Sequence, residues 1–536
     1  DQKSRSELIL CLTRRILFSS IKIPFTRIRS RFPNFDSISL LILSFDMYFR
    51  LAMNKPTSLL PTPSELLRKS FPFQPTKGQA SFFVKMDDFF QKPSQDKPVF
   101  ILKGYAGTGK TSLLSAVVKI LPRLDLRPLL LAPTGRAAKV MSTYSGRSAF
   151  TIHKIIYKPK GDPGTLGGGF TLQKNYFKDT LFIVDESSML ADDGGMSGNL
   201  LWDLITYTFS GEGNRLLFVG DTAQLPPVGS QYSPALDGEY LLRHYRLEAD
   251  QIELVEVMRQ KLESGILFNA TRLLYELGGE KVAVKIQTHL FKDIFKMTSE
   301  KLEDGLRYAY SKYGTENTCI ITRSNKSAVQ YNGYIRQTIH FYEDEICSGD
   351  LLMIVKNNYT YMAESEKVNF LANGDLVEVM KIRNFEERYG LRFATLELRL
   401  LDYAEEPYFE AKVILDTLYS SGPSLTRDQY RSLYEQVSED YADLANKTER
   451  MEYIRKDPYL NALQVKFAYA ITCHKAQGGQ WKAVFIDQGY LVEDQLDAEF
   501  IRWLYTAVTR ASEELYLVNF SPTFFVKGLV EEESEE

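Results

Sequence analysis

Residues 98–121 read PVFILKGYAGTGKTSLLSAVVKIL. A short apolar run gives way at Gly104 to a glycine-rich turn, and the turn opens into apolar residues at helical spacing. A buried strand therefore feeds a loop that starts a helix. Within that loop Gly104, Gly107, Thr108, Gly109, Lys110 and Thr111 match the pattern G-x-x-x-x-G-K-[ST]. The chemistry needs these residue types. Glycines let successive backbone N–H groups curl around phosphate oxygens, and the helix N-terminus adds its dipole. The lysine reaches the β- and γ-phosphates, and the threonine hydroxyl is placed to ligate Mg²⁺. A nucleoside triphosphate is the ligand this pattern implies.

Working outward, RPLLLAPT, TLFIVDE and NRLLFVGD are three more short apolar runs, each ending in a turn or helix start. That rhythm predicts an α/β fold, with a buried parallel sheet covered by helices. Asp185 and Glu186 close one of these runs. They fall at the carboxyl edge of the sheet, where open α/β folds bind ligands. Asp185 is placed to hold Mg²⁺ and Glu186 to polarise an attacking water. The pattern resumes at TCIITRSN (318–325) and KAVFID (482–487), so a second α/β domain is expected. Between them, 349–415 reads as short strands with Gly and Asn turns, a small antiparallel barrel. The stretch 424–457 reads as polar helix with Ser424 as N-cap candidate. The expected domains are 53–245, then 246–345 with 460–525, with 346–459 as an insertion and 526–536 as an acidic tail.

Composition narrows the classes. A net charge of −3 over 536 residues does not advertise a nucleic-acid binder, so any basic track must be local. Five histidines and four scattered cysteines offer no metal-ligand spacing. A reducing, cytoplasmic setting is expected, and no apolar run approaches the ~20 residues that span a bilayer. The first 52 residues are rich in Arg and Ser, including Arg14, Arg15, Arg27, Arg29 and Arg31. They read as a non-native or disordered extension ahead of Met53, with an organelle transit peptide as the alternative.

Further stretches choose among the many ATPases with these two motifs. PTKGQASFF (75–83), LLAPTGRAAKVMS (130–142), VGDTAQLPPVG (219–229), LVEVMRQ (254–260), YAITCHKAQGGQW (469–481) and YTAVTRASEELYLV (505–518) follow in order. Together they resemble motifs Q, Ia, III, IV, V and VI of superfamily-one DNA helicases, most closely the RecD and phage Dda branch. The resemblance spans about 71–520 of the chain. It implies two RecA-like P-loop NTPase domains, a hairpin insertion in the first and an SH3-like barrel insertion in the second. It also implies that Gln79 pairs with adenine, Gln224 senses the γ-phosphate, and Gly478 lies at the nucleotide. Arg259 and Arg510 would supply transition-state charge from the second domain. One departure is Gln480, where many relatives carry a glutamate.

The same resemblance puts Pro133, Thr134, Arg136, His153, Thr472, His474 and Lys475 on a single-stranded DNA track. Arg136 and Lys475 would neutralise phosphates. His153 would stack or hydrogen-bond, with a satisfied, half-buried histidine as the alternative. Residues 157–178 fall where relatives carry a hairpin that splits the duplex, and Gly164–Gly169 suit its turn, with a plain surface loop as the alternative. The implied activity is ATP- and Mg²⁺-dependent unwinding of forked duplex by a monomer, in the 5′→3′ direction. A translocase that strips proteins without unwinding, a non-hydrolysing ATP-binding module, and an RNA substrate stay open as alternatives.

Overall fold

A computed structural model describes residues 61–159, 170–192, 199–257, 263–277, 284–358, 360–362, 370–403, 406–491 and 496–526. The extension over 1–52, residues 527–536 of the tail, Arg259 and the Gly164–Gly169 turn lie outside them.

In the first sheet, β1 (Val99–Gly104), β2 (Arg127–Ala132), β3 (Ala149–Thr151), β6 (Thr180–Val184), β7 (Arg215–Gly220) and β8 (Ala249–Leu254) run parallel in the order β3-β2-β6-β7-β1-β8. Side chains alternate between two cores. Phe100, Leu102, Ile183 and Val219 face one layer of helices, while Val99, Ile101, Phe182 and Phe218 face the other. Burial on both faces is why these strands read as continuous apolar runs. Between β3 and β6, β4 (Tyr157–Pro159) and β5 (Phe170–Leu172) pair antiparallel, forming the base of the hairpin insertion. The first sheet continues through Leu254, so the break between domains lies beyond the expected 245, because β8 pairs with β1 along its length.

The second sheet is also parallel, built of β9 (Ile294–Met297), β10 (Thr318–Thr322), β16 (Ala470–Thr472), β17 (Trp481–Asp487) and β18 (Ala511–Val518). Their order is β16-β10-β17-β18-β9. The crossover from β10 to β16 carries a closed five-stranded barrel of β11 (Leu351–Ile354), β12 (Leu376–Arg388), β13 (Leu391–Leu400), β14 (Phe409–Ile414) and β15 (Leu463–Phe467). The barrel therefore extends past the expected 459, since β15 closes it against β11 and β14. The helix Arg427–Asp440 is capped by Thr426 and not by Ser424, because Gln429 completes a capping box with Thr426.

A buried ion pair fixes the barrel to the second domain. Asp350, just ahead of β11, accepts from Arg336 Nε at 2.9 Å and Nη2 at 3.0 Å, from Cys347 N at 2.7 Å and from Tyr469 OH at 2.9 Å. With every lone pair answered, removing one partner would strand a buried charge at a cost of about 3–5 kcal/mol.

Candidate active site and nucleic-acid track

The phosphate loop follows β1 and opens the helix Lys110–Ile120. Gly107 and Gly109 take φ of 79° and 88°, left-handed values that other residues adopt at a cost. A Cβ on Gly104 would stand 2.8 Å from Thr108 Oγ1, so the turn also needs glycine there. Lys110 Nζ folds back over the loop, donating to the carbonyls of Gly104 and, at 3.1 Å, Tyr105. Gln79 braces the loop from behind. It is fully buried, its Nε2 donates to Thr108 O at 2.9 Å, and its Oε1 accepts from Thr76 N at 3.1 Å. Its amide is thus held by protein at both ends.

Asp185 and Glu186 stand where β6 ends. Asp185 Oδ2 accepts from Tyr144 OH at 2.7 Å, and its Oδ1 accepts from Glu186 N at 2.9 Å. Burial pushes the Tyr144 hydroxyl well above its ordinary value, so the tyrosine stays a donor. Glu186 sits at φ 51°, a strained conformation that directs it into the cleft. Burial raises its carboxyl; Arg510 pulls it back and Asp185 pushes it up again.

Arg510 lies in the turn between the helix Ala498–Val508 and β18 of the second sheet, and is 3% exposed. Its Nε donates to Thr506 O at 3.0 Å, Nη1 to Gly479 O at 3.2 Å and Nη2 to Thr509 Oγ1 at 3.2 Å. Held this way, Nη1 stands 3.9 Å from Glu186 Oε1 of the other sheet. The cleft between them has a volume of about 680 Å³, and Lys110, Thr111, Gln224, Lys292 and Gln480 also line it. Gln224 Oε1 is buried there without a hydrogen-bond partner. A lysine and an arginine around a phosphate loop fit a nucleoside triphosphate, and the amide of Gln224, turned, would present its N–H to it.

The segment after β7 grips the second domain through the helix Ala498–Val508 and Gln477. Leu225 N donates to Thr506 Oγ1 at 2.9 Å, Gln477 Nε2 donates to Leu225 O at 2.7 Å, and Arg502 reaches Thr222 O. Tyr505 OH donates to Asp221 Oδ2 at 2.6 Å and accepts from Ala106 N at 2.8 Å. Sequence reasoning quoted the stretches that hold Asp221, Tyr505 and Thr506 but gave these residues no role. Tyr144 lies just past its quoted stretch, with no signal of its own.

Along the expected DNA track, the structure brings residues 133–137 against 478–481. Gly478, at φ 72°, approaches so closely that a Cβ would stand 2.9 Å from Ala137 Cβ and 3.2 Å from Thr134 Oγ1. It meets the first-domain helix Gly135–Ser145 and not the nucleotide cleft as expected. Arg136 lies 4.0 Å over the Trp481 ring and its Nη2 donates to Gln480 O at 2.9 Å. It clamps the two domains together where a phosphate contact was expected. Pro133 and Thr134 are half-buried beside it. Thr472 precedes the short helix Cys473–Ala476, on which His474 is exposed and Lys475 half-buried. Burial lowers the Lys475 ammonium. Burial also lowers His153 to about 4, so it is a neutral ring tilted beside Tyr157 at 5.4 Å.

The barrel reaches the same helix. Lys139 Nζ donates to Leu401 O at 2.9 Å and pairs with Asp402 at 3.4 Å. Asp375 Oδ1, buried and without a hydrogen-bond partner, stands 2.3 Å from where a Cβ on Gly135 would be. Burial raises the Asp375 carboxyl to about 7. Among the described residues no cluster of His, Cys, Asp or Glu suits a metal held by protein alone, and no helix is long and apolar enough to cross a membrane.

Comparison with known proteins agrees with this geometry. Residues 467–518 match the UvrD-like helicase C-terminal domain, and residues 91–276 match an AAA domain. The ATP-dependent RecD2 DNA helicase of Deinococcus radiodurans is 34% identical over 179 residues, 33% of this chain but only 21% of RecD2. The ATP-dependent DNA helicase dda of Enterobacteria phage T4 is 22% identical, over 83% of this chain and 99% of Dda. A solved Pif1 helicase from Bacteroides, in complex with ADP-AlF3 and single-stranded DNA, shares 15% identity over 84% of this chain and 95% of that one, at a TM-score of 0.40. With a phosphate loop in the AAA segment and its opposing arginine in the UvrD-like segment, the chain is similar to superfamily-one helicases of the RecD and Dda type.

Proposed function

We propose that this chain is an ATP-dependent DNA helicase that steps 5′→3′ on single-stranded DNA and opens duplex at a fork. One observation carries the reading: Arg510, held by the carbonyls of Thr506 and Gly479 in the second domain, stands 3.9 Å from Glu186 at the end of a first-sheet strand. Hydrolysis that needs groups from both domains turns over only when the cleft is closed, and that coupling is what a motor requires. The 5′→3′ direction is supported by the resemblance to Dda and RecD alone.

Lys110 and the backbone N–H groups of the loop hold the phosphates. Glu186 orients the attacking water, and its raised carboxyl suits it to accept hydrogen-bonding from that water. Arg510 answers the charge that spreads over the transferred phosphoryl group, the step at which positioning and electrostatics dominate. Gln224 offers its orphaned Oε1 to the water or, with the amide turned, its N–H to the γ-phosphate. Thr111 and Asp185 would supply hard oxygen ligands that suit Mg²⁺, which when bound would neutralise phosphate charge. Arg259 is a second cation in this role by family resemblance.

Unwinding of matched 5′- and 3′-tailed duplexes tests the reading. Separation of the 5′-tailed substrate, dependent on ATP and lost in Lys110→Ala, is expected. Unwinding of the 3′-tailed duplex alone would reverse the polarity. ATP turnover on single strands without separation of either duplex would favour a translocase.

A further inference from the structure

Tyr505 is fully buried, yet its hydroxyl is where three parts of the cleft meet. Ala106 N, in the phosphate loop, donates to it at 2.8 Å, and it donates to Asp221 Oδ2 at 2.6 Å. Asp221 Oδ1 in turn accepts from Ala223 N at 3.0 Å, and this fixes the turn that carries Gln224. The hydroxyl has one proton and spends it on the carboxylate, so the chain of hydrogen bonds has a single direction, from loop amide to hydroxyl to carboxylate. Tyr505 and Arg510 lie on one element and its C-terminal turn: the helix Ala498–Val508 presents the tyrosine, and Arg510 Nε bonds back to Thr506 O. Burial and the Asp221 charge both push the hydroxyl well above its ordinary value, which keeps the proton in place.

We propose that Tyr505 is a positioning residue that registers cleft closure, setting the phosphate loop and the Gln224 turn in the geometry that receives Arg510. The inference rests on the helicase reading above. When the second domain swings away, the loop amide and Asp221 lose their common partner together. The loop, the Gln224 turn and the arginine therefore change state as a unit. Tyr505 touches no nucleotide atom in this scheme. Its hydroxyl should set the rate of the closed state while leaving ATP affinity in place.

Tyr505→Phe keeps the buried ring and removes only the relay. Single-stranded-DNA-stimulated ATPase should fall in kcat by roughly 10- to 100-fold, the effect of stranding one charged and one amide partner. The KM for ATP should stay within about threefold of the parent. Asp221→Asn breaks the charge at the other end and keeps the decision open should the phenylalanine variant melt early. In the double variant the loss should be no greater than in the worse single one. A Tyr505→Phe kcat at the parental level would overturn the proposal, as would a KM rising in step with the kcat loss or losses that multiply in the double variant. A parental chain without DNA-stimulated turnover would overturn the helicase reading and this proposal with it.

Discussion

Gly478→Ala places one methyl group at a close contact between the motor domains. Two costs arise, and they act on different states. The first is local. At φ 72° an alanine carries left-handed strain of roughly 1–2 kcal/mol whether the cleft is open or closed, which lowers stability but not the closed fraction. The second exists only when the domains meet. The new Cβ would stand 2.9 Å from Ala137 Cβ, where carbon contacts normally rest at about 3.5–4.0 Å. Ala137 is buried in a helix and has no rotamer with which to retreat. The domains must part by roughly 0.6–1.1 Å, an overpacking cost of about 1–3 kcal/mol against closure. Turnover that depends on closure should fall roughly 5- to 150-fold. Steady-state ATPase with saturating single-stranded DNA reads this, and a thermal melt reads the first cost separately. A melting point lowered by strain with kcat within about twofold of the parent would refute the reasoning, since the contact would then be absent from the reactive state.

Glu186→Gln should bind ATP but lose DNA-stimulated turnover by orders of magnitude, read by nucleotide binding beside phosphate release, because a neutral amide cannot activate the water. Replacing 160–169 by a tight turn should leave DNA-stimulated ATPase intact while forked-duplex unwinding falls, since a wedge acts only where stacking of ~1–2 kcal/mol per step is opened. Loss of both activities would assign the segment to the fold of the first domain. Asp375→Asn should stabilise the chain in a pH-dependent way. The folded carboxyl titrates at about 7 against an ordinary 3.8, so between these values the folded state binds a proton that the unfolded state has released. Stability contributed by this group falls as pH rises across that window and stays low above it. The neutral amide should therefore gain melting temperature increasingly up to about pH 7 and by a constant amount beyond. A gain equal at about pH 4 and pH 8 would remove Asp375 as the cause.

β1, β2, β6, β7 and the phosphate loop were legible because each is written in a local apolar run or a fixed spacing. β8 was not, because ADQIEL is an edge strand with mostly exposed or half-exposed residues and carries no apolar signature. β15 was assigned to the wrong domain because LQVKF is fully buried like any core strand, and only pairing decides which sheet takes it. The cap of the long helix was readable and was missed. Ser424 is followed three positions on by Arg427, whereas Thr426 is followed by Gln429, and only the second completes a capping box. Side-chain partners were the least legible. Gln79, Arg136 and Gly478 sit in their expected motifs, but what each touches depends on surfaces brought together from far along the chain.

The position of the barrel also bears on how the chain reaches its native state. Neighbouring strands β10 and β16 meet across a long separation, with Thr322 Oγ1 contacting Ile471 O from 149 positions away. Closing so long a loop from a disordered chain has an entropic cost that grows with the logarithm of its length. The barrel removes most of that length. Its first and last strands lie side by side, Leu352 opposite Phe467, so a folded barrel delivers both ends of the insertion to one spot. Refolding of the second sheet should then wait on the barrel, and a barrel-destabilising substitution should appear as a slower folding rate for a sheet it never joins.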